Sequence, residues 1–361
     1  MIIGIDASSL TLPHPTGVQR YTEYIIKHLL LVGKEHTFRL YTPKPLPEPF
    51  AQHQVVIKSP KYWTQIRLPI ELFLHKPDMF FQPGYMLPPY IPCRSVTTIH
   101  DLAWIHFPES YSEAEKKSQK LAAYRVYRHH AEVIVPSKAT KNDCAQLLHI
   151  EKERLHTIPE ALIELPKADK EAFPAISKLE KTQIILAIGR LEERKNTITL
   201  INAAEHLRSK TPEVSLVLVG QTGFGAEKIF SAITHARQSG LQVVHLPNCT
   251  DAELAAWLSA ANVYVYPSLY EGFGLPILQA FAARVPVIAS HNSSIPEVGG
   301  EAVMYLHHPK DEEELATALY SVLTNNEKAT KMANLGEKRL EQFSWALAAQ
   351  KTLEVLINTQ K

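Results

Sequence analysis

Residues 268–296 read SLYEGFGLPILQAFAARVPVIASHNSSIP, a run that joins an acid, a glycine turn, a helix and a following buried strand. Just upstream, residues 261–267 (ANVYVYP) alternate apolar and aromatic side chains and stop at Pro267, which cannot continue a ladder. They predict a buried strand whose carboxyl end opens onto Glu271, which is expected to be exposed there. Gly272 and Gly274 permit a tight turn and close approach of backbone to a ligand. Pro276 suits a first helical turn, which leaves the amides of Gly274 and Leu275 at a positive helix end where an anion binds well. Strand, turn, helix and strand in this order make one βαβ unit of a parallel sheet.

The same rhythm runs through the chain. Apolar strand-like runs at 2–5, 38–41, 55–57, 79–81, 96–99 and 133–135 alternate with amphipathic segments. After the Pro- and Lys-rich span 165–181 the rhythm restarts at 184–188, 216–219, 243–245, 263–266 and 287–288. The expectation is an α/β protein of two Rossmann-like, doubly wound parallel-sheet domains: 1–165, a linker at 166–182, and 183–344. An amphipathic helix at 345–361 is placed to return to the first domain. Ligands of such sheets bind beyond the carboxyl ends of the strands, so two facing sheets predict a site in the cleft between them. No repeat of about 20 to 50 residues is present.

At 361 residues the chain exceeds one typical domain. Its 38 Lys and Arg balance 37 Asp and Glu, so overall charge argues for neither nucleic acid nor a strongly acidic partner. Cys93, Cys144 and Cys249 form no CxxC pair, which suggests neither zinc nor a disulfide framework and fits a reducing cytoplasm. The chain opens on a strand-like MIIGIDAS rather than a basic leader with an apolar signal region, and no uninterrupted apolar run reaches about 18 residues. The expectation is a chain that neither spans a membrane nor is secreted by that route.

Candidate side chains follow strands. In residues 13–30, PHPTGVQRYTEYIIKHLL, Gly17 precedes a helix marked by Tyr21, Tyr24, Ile25 and Leu29. Free amides at Gly17 and Val18 either bind a phosphate or belong to an ordinary strand-to-helix turn. In AIGRLEERKN, Arg190 and Lys195 either converge on one anion, a fork and a mobile point charge suited to a diphosphate, or form a solvated loop with Glu192 and Glu193. His100 and Asp101 follow a β-branched strand, and His100 either hydrogen-bonds substrate hydroxyls or is a buried structural histidine. His106, His129 and His130 lack metal-ligand spacing. VGQTGFGAEK lacks the GK[ST] ending of a phosphate loop, and no GxSxG elbow, HExxH helix, D-x-D pair or Cys nucleophile context occurs, which disfavours metal-assisted chemistry. MIIGIDASSL lacks the G-x-G-x-x-G of a dinucleotide oxidoreductase.

Two stretches mix aromatic and basic residues in a way suited to an anionic membrane surface. One is 58–77, with Tyr62, Trp63, Phe73 and Leu74 among Lys58, Lys61, Arg67 and Lys76. The other is 113–130, with basic residues at 116, 117, 120, 125 and 128 against Glu113 and Glu115. Each is equally readable as ordinary structure, a core helix for the first and a solvated basic helix for the second.

Taken in order, TGVQRY, TIHDLAW, GRLEERKN, LYEGFGLPILQA and IPEVGG resemble retaining glycosyltransferases of family 4, which have the GT-B fold. HDLAWIHFPESY is most similar to bacterial mannosyl- and rhamnosyltransferases of lipopolysaccharide or O-antigen assembly. The resemblance implies metal-independent transfer of a hexose, of mannose or rhamnose type, from a nucleotide diphosphate sugar, GDP-linked in the first instance. The acceptor would be a glycan or lipid-linked, used by a cytoplasmic protein peripheral on the inner face of the membrane. It assigns Arg190, Lys195, Gly17, Gly274 and Leu275 to the donor diphosphate and His100, Glu271, Phe273 and Gly274 to the donor sugar, with His100, Glu271, Arg190 and Lys195 as the catalytic set. The family's second acid, eight positions after the first, binds the ribose; here that position is Gln279, which carries no charge. An epimerase of the same fold, or a silent nucleotide-sugar or glycan-binding protein, are the competing readings.

Overall fold

The computed structural model describes residues 1–12, 16–58, 61–179 and 181–359. Parts of several stretches discussed above lie outside them: Pro13 to Pro15 before Gly17, Ser59 and Pro60 of 58–77, Glu180 of the linker, and 360–361 of the last helix. The chain forms two compact units. One comprises Met1–Leu102, Glu113–Ala161 and Phe343–Lys361, the other Ala103–Ser112 and Leu162–Gln342.

The first unit holds β1 (Ile2–Asp6), β2 (Thr37–Thr42), β3 (Gln54–Val56), β4 (Met79–Gln82), β5 (Arg94–Thr98), β6 (Glu132–Val135) and β7 (Leu155–Thr157). They form one sheet in the order β3-β2-β1-β4-β5-β6-β7, every pairing parallel. The second unit holds β8 (Gln183–Ile188), β9 (Val214–Val219), β10 (Gln242–Leu246), β11 (Val263–Tyr266), β12 (Val287–Ser290) and β13 (Val303–Leu306). Their order is β10-β9-β8-β11-β12-β13, again all parallel. Both orders are doubly wound, reversing between β1 and β4 and between β8 and β11.

Helices cover both faces of such sheets, so central strands lose the in-out alternation of a half-exposed sheet. VSLVLV of β9 and VYVY of β11 are buried at every position. All eleven apolar runs read from the sequence fall on strands. Two strands escaped that reading: β7, whose LHT carries one apolar residue, and β13, whose VMYL follows a glycine pair; each is an edge strand with partly exposed residues.

The helix Trp345–Asn358 belongs to the first unit and packs on the helix Gly17–Val32. Its Trp345 ring lies 5.9 Å from that of Tyr21 and 5.4 Å from that of Tyr24. Two of the side chains grouped above with a membrane surface are instead interior. Trp63 is buried with its indole N–H donated to the Ile57 carbonyl, and Arg125 is 7% exposed.

Candidate active site

Glu271, expected to be exposed, is 7% exposed, and the reason is its partners. Lys195 Nζ lies 2.5 Å from its Oε1 and Arg194 Nη1 2.8 Å from its Oε2. Lys195 also donates to the Tyr266 hydroxyl at 3.3 Å and sits over that ring, 5.0 Å from its centroid. Arg194 bonds Glu192 through Nε and Nη2 at 3.1 and 2.7 Å, and the Tyr270 carbonyl at 2.8 Å. Four interior charges therefore form the chain Glu192–Arg194–Glu271–Lys195.

The backbone around the acid is clamped as well. The Glu271 amide donates to Ser293 Oγ at 2.9 Å, and Ser294 Oγ donates to the Glu271 and Phe273 carbonyls at 2.9 and 2.7 Å. Gly274 follows at φ +126°, a conformation that side chains resist, and turns the chain into the helix Leu275–Ala282 with Pro276 in its first turn. Phe273 is buried, and Leu275 is half-buried at the helix start. The Tyr270 ring, one residue before the acid, packs 4.5 Å from the ring of His106.

Burial pushes the Glu271 carboxyl up, but Lys195 and Arg194 outweigh it and hold the pKa at about 2. Burial lowers the Lys195 ammonium, against which Glu271 acts. At neutral pH Glu271 is an ionised acceptor of hydrogen bonds.

Of the residues picked from sequence, the structure brings Lys195, Glu271, Phe273, Gly274 and Leu275 together beyond β8 and β11. Arg190 is exposed on the loop after β8, and the cation beside Lys195 that reaches Glu271 is Arg194. Sequence reasoning missed Arg194, Ser293 and Ser294. The adjacency of two cations in GRLEERKN was the available signal for the first, and the Ser pair after a buried strand for the others. Gln279 lies on the helix Leu275–Ala282 and lines a cavity of about 300 Å³ with Leu162, Glu164, Leu258, Ser259 and Ala282.

In the first unit Gly17 starts its helix, and a Cβ built on it meets no atom within 4 Å, so packing does not demand glycine there. His100 follows β5. Its Nδ1 lies 3.1 Å from Glu160 Oε1 and its Nε2 3.0 Å from the Pro83 carbonyl, while its ring stands edge-on to Tyr21 at 4.6 Å. Glu160, also missed from sequence, orients this ring. Among the described residues no group of three His, Cys, Asp or Glu side chains suits a metal ion, and no helix is long and apolar enough to cross a membrane.

The family model for glycosyltransferase family 4 matches residues 15–162, and that for glycosyl transferases group 1 matches 169–339. The chain is 26% identical to the O-antigen chain mannosyltransferase B of Escherichia coli over 284 residues, covering 77% of this chain and 74% of that protein. It is 29% identical over 236 residues to an MMP alpha-(1->4)-mannosyltransferase of Mycolicibacterium hassiacum, covering 64% of this chain and 55% of that one. Among solved structures, sucrose-phosphate synthase from Thermosynechococcus elongatus superposes with a TM-score of 0.77 at 19% identity, covering 99% and 98% of the two chains. Anabaena Alr3699/HepE in complex with UDP-glucose superposes with a TM-score of 0.74, also at 19% identity, covering 99% of each chain. The two models follow one another along nearly all of the sequence, and the two doubly wound sheets match GT-B structures: the chain belongs to the family 4 glycosyltransferases of the GT-B fold.

Proposed function

We propose that the protein is a retaining transferase that moves a mannose- or rhamnose-type hexose from a GDP-linked donor to a glycan or lipid-linked acceptor in cell-surface polysaccharide assembly, at the cytoplasmic face of the membrane. The observation that carries this reading is the contact of Lys195 with an ionised Glu271 beside the Gly274 turn. It sets a cation for a diphosphate, an acceptor for sugar hydroxyls and a helix start within one buried cluster.

With a donor bound, Lys195 and Arg190 take the diphosphate charge, and the amides of Gly274 and Leu275 add to it without a metal. Glu271, still held by Arg194 and by its own amide on Ser293, accepts hydrogen bonds from the sugar. The bond from the anomeric carbon to the leaving phosphate oxygen breaks as the acceptor oxygen bonds that carbon on the same face. The acceptor proton passes to the departing diphosphate, so no protein nucleophile enters. A carboxyl held near 2 makes a poor proton-abstracting base at neutral pH, which weighs against an epimerase. In the first unit the reading draws on the Gly17 amides. Gln279, in its cavity, would meet the ribose through its amide.

Thermal-shift screening with GDP, UDP, TDP and ADP tests the donor. A nucleotide at 100 times its dissociation constant adds about 2.7 kcal/mol, and GDP is expected to give the largest shift. Lys195→Ala should lower turnover on the order of 10²- to 10³-fold. Near-normal activity of that variant, or no shift with any nucleotide, overturns the assignment.

A further inference from the structure

The first unit carries a helix that is apolar on both sides. Residues Trp63–Arg67 form a π turn that runs directly into the helix Leu68–Leu74. Trp63, Leu68, Pro69 and Leu72 face the interior, as one stripe of a surface helix should. The rest of the surface is expected to be polar. Instead Ile66, Ile70 and Leu74, spaced four residues apart, are 51, 46 and 64% exposed, with Phe73 at 65% and Tyr62, at the start of the turn, at 68%. Tyr90 extends this patch: its ring is 6.3 Å from that of Phe73 and it is itself 50% exposed. The carboxylate on this segment, Glu71, turns to His75 at 2.9 Å and is only 22% exposed.

A second helix, Glu113–Arg128, is locked to the first. Its buried Arg125 donates to Gln65 Oε1 at 2.5 Å and to the Leu87 carbonyl at 2.7 Å, and the following His129 Nε2 lies 3.0 Å from the Pro88 carbonyl. Leu121, Tyr124 and Tyr127 are exposed on this helix together with Lys117, Lys120 and Arg128, with Glu113, paired to Lys116, and Glu115 exposed in its first turn, while Lys61, Arg67 and Lys76 are exposed on and beside the first. The chain as a whole is balanced at +1, so this is a local concentration of positive charge around apolar and aromatic side chains.

We propose that the exposed face of Trp63–Leu74, with Tyr90, inserts into an anionic lipid bilayer, and that the basic residues of this helix and of Glu113–Arg128 hold the headgroups around it. The inference rests on the reading of a lipid-linked acceptor above and names the surface by which the first unit would reach it. Large apolar and aromatic side chains at the centre and Lys and Arg around them are the composition of an interfacial helix. Isolated exposed apolar residues need no explanation; six on one helix face and its neighbouring loop do. A second copy is the poorer occupant, because a two-fold contact sets the same basic rim against itself.

The test is co-sedimentation of the full chain with vesicles of phosphatidylethanolamine and phosphatidylglycerol (7:3) and with phosphatidylcholine vesicles. Ile70→Ser/Phe73→Ser and Lys117→Gln/Lys120→Gln variants are run alongside, with circular dichroism melting as the check on folding. All four positions are exposed, so both variants should melt as the parent does. The expected result is binding to the anionic vesicles that weakens with salt. The apolar double variant should bind at least about tenfold less, since one large side chain withdrawn from an apolar phase changes partitioning by that factor. The charge variant should lose its preference for phosphatidylglycerol. Absence of vesicle binding, unchanged binding by the apolar variant, or a dimer in light scattering that this variant abolishes overturns the proposal. The nucleotide thermal shift of the same preparations separates the two readings. A protein that shifts with nucleotide but ignores vesicles refutes the membrane face alone, and one that binds vesicles but no nucleotide refutes the donor.

Discussion

Arg194→Met is the most informative single substitution in the second unit. The guanidinium makes two bonds to Glu192, one to the Tyr270 carbonyl and one to Glu271, and it is 8% exposed, Glu192 4% and Glu271 7%. Methionine fills much of the volume and supplies none of the donors. Glu271 keeps Lys195, but Glu192 loses the cation that holds it in the interior. Removing one partner of a buried pair costs about 3–5 kcal/mol, because the remaining charge is left uncompensated. For a domain of this size each kcal/mol moves the melting temperature by about 2–4 °C, so a fall of roughly 6–20 °C is expected. Differential scanning calorimetry on the full chain reads it as a shift of the second unit's transition. Turnover at a permissive temperature should fall too, with Glu271 freed from one of its two anchors. In the double variant Arg194→Met/Glu192→Leu the stranded carboxylate is gone, and most of the lost stability should return. A single variant that melts within about 2 °C of the parent would refute the argument that this charge chain holds the loop. So would a double variant no more stable than Arg194→Met.

Gln279→Glu should tighten nucleotide binding in isothermal titration if the ribose occupies the cavity lined by this side chain, and unchanged or weakened affinity would remove the ribose from it. Gly17→Ala meets open space at the start of a helix, so the melting temperature should hold or rise while turnover falls if a phosphate approaches that amide closely; unchanged turnover would make the glycine an ordinary turn. Gly274→Ala, at φ +126°, should by contrast cost stability, about 1–2 kcal/mol by urea unfolding. For acid stability the sign follows from a lowered carboxyl. Glu271 contributes fully above its ordinary value of 4.5, and that contribution is lost as pH falls toward about 2. Urea unfolding at pH 2–5 should therefore show a steeper acid decline in the parent than in Glu271→Gln, and parallel declines would place the ionisation elsewhere.

Most strand positions were legible along the chain. A buried parallel strand is a short continuous apolar run, a signal written in neighbouring residues, and eleven such runs fall on strands. Legibility failed at β7, an edge strand whose LHT carries one apolar residue, and β13 was missed although VMYL carries the apolar signal. The Gly274–Pro276 helix start was legible for the same local reason: the residues that make the turn stand side by side. What only the tertiary structure decided is the company each charge keeps. Glu271 was expected to be exposed because it follows a strand end, yet Lys195 and Arg194, 76 and 77 residues away in sequence, draw it inside. His100 is readable from sequence either as a substrate contact or as a structural histidine; Glu160, 60 residues on, meets one ring nitrogen and the Pro83 carbonyl the other. Backbone geometry and hydrophobic periodicity act over a few residues, so they can be read along the chain. A charge is tolerated in the interior only with a compensating partner beside it, and which residue stands there is set by how the strands are ordered in the sheet.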